Sequence, residues 1–329
     1  MPIARRELLG LGAAVAISAV TASCRTPVRE HARPEWPPST ASPARPRSRT
    51  FDGEPAPGHL YYGASLPAYR SLPAWERTLG SPLALYRSYF TPDGNELLQL
   101  VRQCRDDLAH DRLPHVSVKP SGTWHDVASG AQDDWLTTLL GALGRENASV
   151  FLTVHHEPEN DAGPPGMLAA DYVAMQHRTI RMASELAPKV TVVPVLQSWT
   201  FDPLRDDVDP SVWMVSDASV IGIDVYNPWS PTNGLAWRTF GSKVDEATVW
   251  LKDTPLAIGE YGCREDPSNP GMAADWLRDA AEYARGHNIV SMSYFNSGQN
   301  SPDGSWVLGG ERERAFAELL GSDWVTRPT

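Results

Sequence analysis

A chain of 329 residues, 41% hydrophobic and with 12 tryptophans, can bury one substantial core, so one large domain behind an N-terminal extension is the economical reading. The formal net charge of −11 becomes −16 once residues 1–50 are set aside, because 21 basic side chains then face 37 acidic ones. So acidic a domain argues against a nucleic-acid partner and suits neutral ligands.

Residues 1–24 read as an export signal. Arg5 and Arg6 precede a 13-residue apolar stretch, Leu8 to Val20, that is too short to cross a bilayer as a helix and ends at Thr21-Ala22-Ser23-Cys24. The paired arginines resemble a twin-arginine signal, which exports folded proteins. Cys24 resembles the lipidated cysteine of a lipoprotein, although Thr21 stands where a larger aliphatic residue is usual; a cleaved and secreted protein is the other reading. Residues 25–58 are rich in Pro, Arg and Ser and lack periodicity, which predicts a disordered linker. The folded domain then spans 59–325, held at the outer face of a membrane through a lipid anchor or released, and is expected to be a monomer. Only Cys104 and Cys263 remain besides Cys24, too few for a disulfide framework or zinc cluster, and both are expected as unpaired thiols.

Within the domain, strand-like apolar runs recur at 59–66, 83–90, 113–120, 149–157, 189–200, 219–226, 255–261 and 289–296. Helical patterns fill most of the gaps. Leu97, Leu98, Val101, Cys104 and Leu108 share one face of a helix over 95–110 that Asn95 would cap; 169–186 and 273–285 read likewise, the last followed by Gly286. Eight strand-helix units in about 270 residues predict an α/β fold, a (β/α)₈ TIM barrel. An open doubly wound sheet is second, and the chain lacks the Gly-rich phosphate turn of its nucleotide-binding versions.

Active sites of such barrels lie at the C-terminal strand ends. There the sequence places Lys119, His155, His156, Glu157, Gln197, Trp199, Asp224, Tyr226, Asn227, Glu260, Tyr261, Tyr294 and Asn296. Glu157 closes the fourth run and Glu260 the seventh. A carboxylate buried beside a core costs several kcal/mol unless it is compensated or used. Two such placements suggest a catalytic pair: one carboxyl protonates a departing glycosidic oxygen and the other attacks the anomeric carbon, about 5–5.5 Å away in a retaining enzyme and about 6.5–9.5 Å in an inverting one. The plainer reading of each glutamate is a rim ion pair. Glu159, after Pro158 in a turn, is expected to face solvent or a loop donor. His155 and His156 lack a third ligand at suitable spacing, so no metal and no cofactor is expected. Asp224 reads as a structural acceptor, and Tyr226 either as a nucleophile partner or as a packed core residue.

His-Glu closing strand four, Asp-Val-Tyr (224–226) closing strand six and Gly-Glu-Tyr (259–261) closing strand seven resemble glycoside hydrolase family 26, over roughly residues 59–320. That resemblance implies a retaining barrel glycosidase acting on a β-1,4-linked polysaccharide, β-mannan first, with β-1,3/1,4-glucan or xylan as alternatives. It implies Glu157 as acid/base, Glu260 as nucleophile, His156 as an orienting group and Tyr226 as the donor to Glu260. A noncatalytic carbohydrate-binding lipoprotein is the alternative from another class. Trp124, Trp199, Trp229 and Trp306 fall in loops at strand ends, where flat rings suit the C–H faces of sugars; Trp199 and Trp229 are the expected platforms. Lys119, Asn160, Gln197 and Asn296 are candidate hydroxyl contacts, with loop capping as the competing role.

Overall fold

A computed structural model describes residues 50–328 apart from positions 69, 93 and 300–305. The export signal, Cys24 and the linker up to residue 49 lie outside the described residues. Strands β1 (Tyr61–Ser65), β2 (Leu85–Phe90), β3 (Leu113–Val118), β4 (Val150–Val154), β5 (Val190–Val192), β6 (Val195–Gln197), β7 (Ile221–Tyr226), β8 (Leu256–Gly262) and β9 (Ile289–Phe295) form one sheet, every named pair parallel. Helices α1 (Leu72–Leu79), α2 (Glu96–Ala109), α3 (Trp124–Ser129), α4 (Asp133–Gly144), α5 (Ala169–Leu186), α6 (Phe240–Leu251), α7 (Met272–Gly286) and α8 (Gly310–Leu320) run between and after them. No described helix is long and apolar enough to cross a membrane.

The fifth apolar run supplies two strands rather than one. Pro194 has no N–H to give a ladder and divides the run into β5, paired with β4, and β6, paired with β7. Val193 N donates to Leu152 O and Gly222 N to Pro194 O, so this broken strand joins the two halves and closes the barrel. Its eight positions are the expected eight. Asn95 begins α2 without a side-chain cap bond, and α7 runs on through Gly286, one residue past the expected end.

Alternate residues of each strand face the helices or the barrel interior. The helix-facing set, including Tyr62, Val116, Leu152, Ile223, Ile258 and Tyr294, builds the large core. The interior is layered. At the N-terminal strand ends Tyr61, Leu85, Leu113, Phe151, Val195, Ala257 and Val290 form a second, apolar cluster, which Phe51 joins. Residues 50–58, assigned to the linker from sequence, therefore begin inside the folded unit: Phe51 packs on Phe151 at 5.8 Å, and Tyr61 Oη donates to Gly53 O at 2.7 Å. Above this floor the interior turns polar, with Arg87, His115, Thr153 and Asp224 all buried.

Candidate active site

Glu260 is placed by a register break. Ile223 pairs with Ile258, but Asp224 pairs with Glu260, so Gly259 bulges and two carboxylates face each other across β7 and β8. Only glycine fits there: a Cβ at 259 would lie 2.5 Å from Asp224 Oδ1 and 3.0 Å from a Val195 methyl. Both oxygens of Glu260 are held. Tyr89 Oη donates to Oε1 and Tyr226 Oη to Oε2, each at 2.6 Å.

Glu157 stands beyond the end of β4, in a tight turn. His155 (φ 61°) and Glu157 (φ 48°) both occupy the left-handed region on either side of His156, a backbone that non-glycine residues adopt only when neighbours enforce it. The enforcement is visible. His155 N donates to Val118 O and Glu157 N to Val195 O, both at 2.9 Å. Trp124 Nε1 donates to His155 Nδ1 at 3.0 Å, which leaves Nε2 as the donor to Asp161 Oδ2 at 2.7 Å; Lys119 Nζ donates to the same oxygen at 2.6 Å. The carboxylate itself receives Asn160 Nδ2 at 3.0 Å.

One ligand oxygen from each of Glu157, Asp224 and Glu260 lies within 4.8 Å of the others. Burial first, then the charges of Glu260 and Glu159, push Glu157 up to about 7. The same causes, burial ahead of Glu260 and Glu157, hold Asp224 well above the usual carboxylate range. Burial also depresses His155 to about 4 and His156 to about 3, so both rings are neutral at pH 7. Among the described residues this trio is the one acidic group close enough to share a cation. Glu260 has already committed both oxygens to phenols, so the trio is a poor cage.

A cavity of about 460 Å³ opens over the pair. Glu157, Asn160, Gln197, Tyr226 and Glu260 form its inner wall; Pro228, Asn233, Arg264, Phe295, Gln299 and Trp306 form the rim. Of the tryptophans, Trp306 reaches it, 4.8 Å from the Tyr226 ring and with the Arg264 guanidinium 4.0 Å from its ring centre. Trp199 is half-buried under Arg205 at 4.3 Å, and Trp229 packs on Trp237 at 5.3 Å; neither lines the cavity. Trp124 is fully buried, a packing residue and not a platform.

The remaining predicted residues divide by burial. His156 Nδ1 meets Ser117 Oγ at 3.0 Å and its ring lies 5.3 Å from Tyr89, the phenol that donates to Glu260. Lys119 serves the Asp161–His155 chain. Tyr294 is fully buried and donates to Trp306 O at 2.8 Å, while Asn296 Oδ1 accepts from Leu308 N, so both shape the loop that carries Trp306. Glu159 accepts from Gln197 N and Thr200 Oγ1, the loop-donor role. Cys104 and Cys263 are buried and free. Sequence reading missed Tyr89 and Arg87. The alternation in Leu-Tyr-Arg-Ser-Tyr-Phe (85–90) carried the signal: residues 85, 87 and 89 share the interior face, with Arg87 donating to His115 Nε2 deep in the barrel.

The chain matches no protein-family profile and no curated protein sequence. By shape it is similar to an endo-β-1,4-glucanase from Xanthomonas axonopodis pv. citri (TM-score 0.59, 11% identity, 79% of this chain and 98% of that one). It is also similar to an exo-β-1,4-mannosidase from Opitutaceae bacterium strain TAV5 (0.59, 13%, 84% and 62%) and to a GH5_18 enzyme from Streptomyces cattleya in complex with GlcNAc (0.56, 17%, 82% and 81%). The protein thus has the (β/α)₈ barrel that these hydrolases share, with two glutamates facing each other at the mouth. At these identities the likeness is one of fold.

Proposed function

We propose that the protein is a retaining β-glycosidase, with Glu157 as acid/base and Glu260 as nucleophile, acting on a β-1,4-linked polysaccharide with β-mannan as the first candidate. The observation that carries the reading is that one oxygen of Glu157 and one of Glu260 lie within 4.8 Å of each other, the close approach that a retaining pair about 5–5.5 Å apart needs, where an inverting pair stands about 6.5–9.5 Å apart. The environments split the roles. Glu157, protonated up to about pH 7, gives its proton to the departing oxygen; Glu260, fixed by two phenols, attacks the anomeric carbon. Glu157, now a carboxylate, then takes a proton from the water that releases the sugar. The family 26 resemblance of the three strand-end motifs supports mannan, and the fold likeness to a glucanase keeps β-glucan in the comparison. We further propose that the protein works outside the cell, tethered through Cys24 or released.

Reducing-sugar release from mannan, mixed-linkage glucan and xylan tests the substrate. Glu157→Ala and Glu260→Ala should each lower turnover by at least about 1,000-fold, and azide should rescue Glu157→Ala as a β-glycosyl azide. Unchanged turnover in either variant would sink the assignment.

A further inference from the structure

We propose that Asp224 is a neutral carboxylic acid throughout the reaction cycle and donates its O–H to Glu157, a positioning residue for the acid/base and not a third anion. The proposal rests on the glycosidase reading for its role, though not for the protonation itself.

The geometry comes from four observations. Asp224 is 2% exposed and is walled in by Gly259, where even a methyl group would collide with Oδ1. Neither of its oxygens has a conventional donor side chain. Both catalytic carboxyls lie within 4.8 Å of it. The cation among its buried neighbours is Arg87, whose Nη1 is turned to His115 and Thr153 and whose charge is divided among Tyr89, Asp224 and Glu260. A buried anion with a single backbone donor is unfavourable, and a second anion beside Glu260 would add like-charge repulsion. A proton on Asp224 removes both penalties.

That proton also supplies the missing donor. Two ionised carboxylates have no hydrogen between them; a protonated Asp224 has an O–H that Glu157 can accept, and such a bond lowers Glu157 against the upward push of burial. The side chains differ in what else they have. Glu157 lines the cavity and takes Asn160 Nδ2, so it can carry charge; Asp224 lines no part of it and has the Glu260 backbone N–H as its donor. When Glu157 passes its proton to the departing oxygen, the carboxylate left behind is met by the Asp224 O–H. When water later returns a proton to Glu157, Asp224 still has its own. No proton leaves Asp224 in either step.

Infrared difference spectra of the full chain against Asp224→Asn, at about pH 8.5 where Glu157 is ionised, test the protonation. The carbonyl stretch of a protonated carboxylic acid should be present in the parent and absent from the variant; its absence from the parent overturns the proposal. Should Asp224→Asn fail to fold, Asp224→Ser serves as the blank, because Asp107 and Glu159 are also buried carboxyls held above the usual range and only loss of the band assigns it to Asp224. The pH profile of kcat/KM tests the role. Asparagine keeps a donor and carries no charge, so Asp224→Asn should leave the alkaline limb in place, whereas Asp224→Ala should move it upward. A downward shift in Asp224→Asn would mean that a negative charge had been removed, and the proposal would be wrong. If the parent cleaves no polysaccharide the glycosidase reading fails, while the infrared band still decides whether Asp224 is neutral.

Discussion

At the scale of single residues, the two glutamates are made different by what surrounds them. Glu157 must be protonated to act as an acid, and burial raises it to about 7, so kcat/KM should fall as pH climbs through about 7; a flat profile from pH 6 to 9 would contradict the role. The same shift bears on stability. A folded-state value above the unfolded one favours the folded state at low pH, and that preference is lost between the unfolded carboxyl range, about 4.3, and about 7. Gln cannot ionise, so Glu157→Gln should melt at a higher temperature than the parent at pH 8. Glu260 depends on its phenols: Tyr226→Phe and Tyr89→Phe each remove one donor, and each should lower kcat about 100-fold with KM little changed.

At the scale of elements, strands could be read from apolar runs, but what happens at their ends could not. Both glutamates, Asp224 and Tyr226 were legible because each closes a run of core residues. The turn holding Glu157 was not, since its left-handed residues are His and Glu where glycine would have announced them. Tyr89, Arg87 and His115 were hidden for another reason: inside a barrel with a polar middle layer, inward residues look like the solvent side of an ordinary strand. Trp124 misled by position, since it follows a strand end but opens α3 and points into the core, where its indole N–H fixes the His155 tautomer. Trp124→Phe should leave His155 Nδ1 buried and unpaired, at a cost of about 1–3 kcal/mol in urea unfolding, with turnover falling as the turn loosens. Loss of neither stability nor turnover would show that the turn is held by other contacts. Gly259→Ala, which crowds both Asp224 and Val195, should cost about 1–3 kcal/mol.

At the scale of the whole molecule, the barrel is built as a floor, a polar middle and a carboxylate-lined mouth, and the three need different amino acids from the same strands. The eight-unit rhythm made the architecture legible; the broken fifth strand was concealed because Pro194 lies within an otherwise continuous apolar run. Phe51→Ala should cost about 3 kcal/mol, measured by chemical denaturation, without altering the pH profile, because the floor is remote from the carboxyls. The placement of Phe51 also sets where the chain can be cut without harm to the fold. A cut just ahead of residue 50 leaves the barrel with its base intact, whereas one a few bonds later strips away the stopper. A harmless cut and a damaging one are therefore separated by only a few peptide bonds.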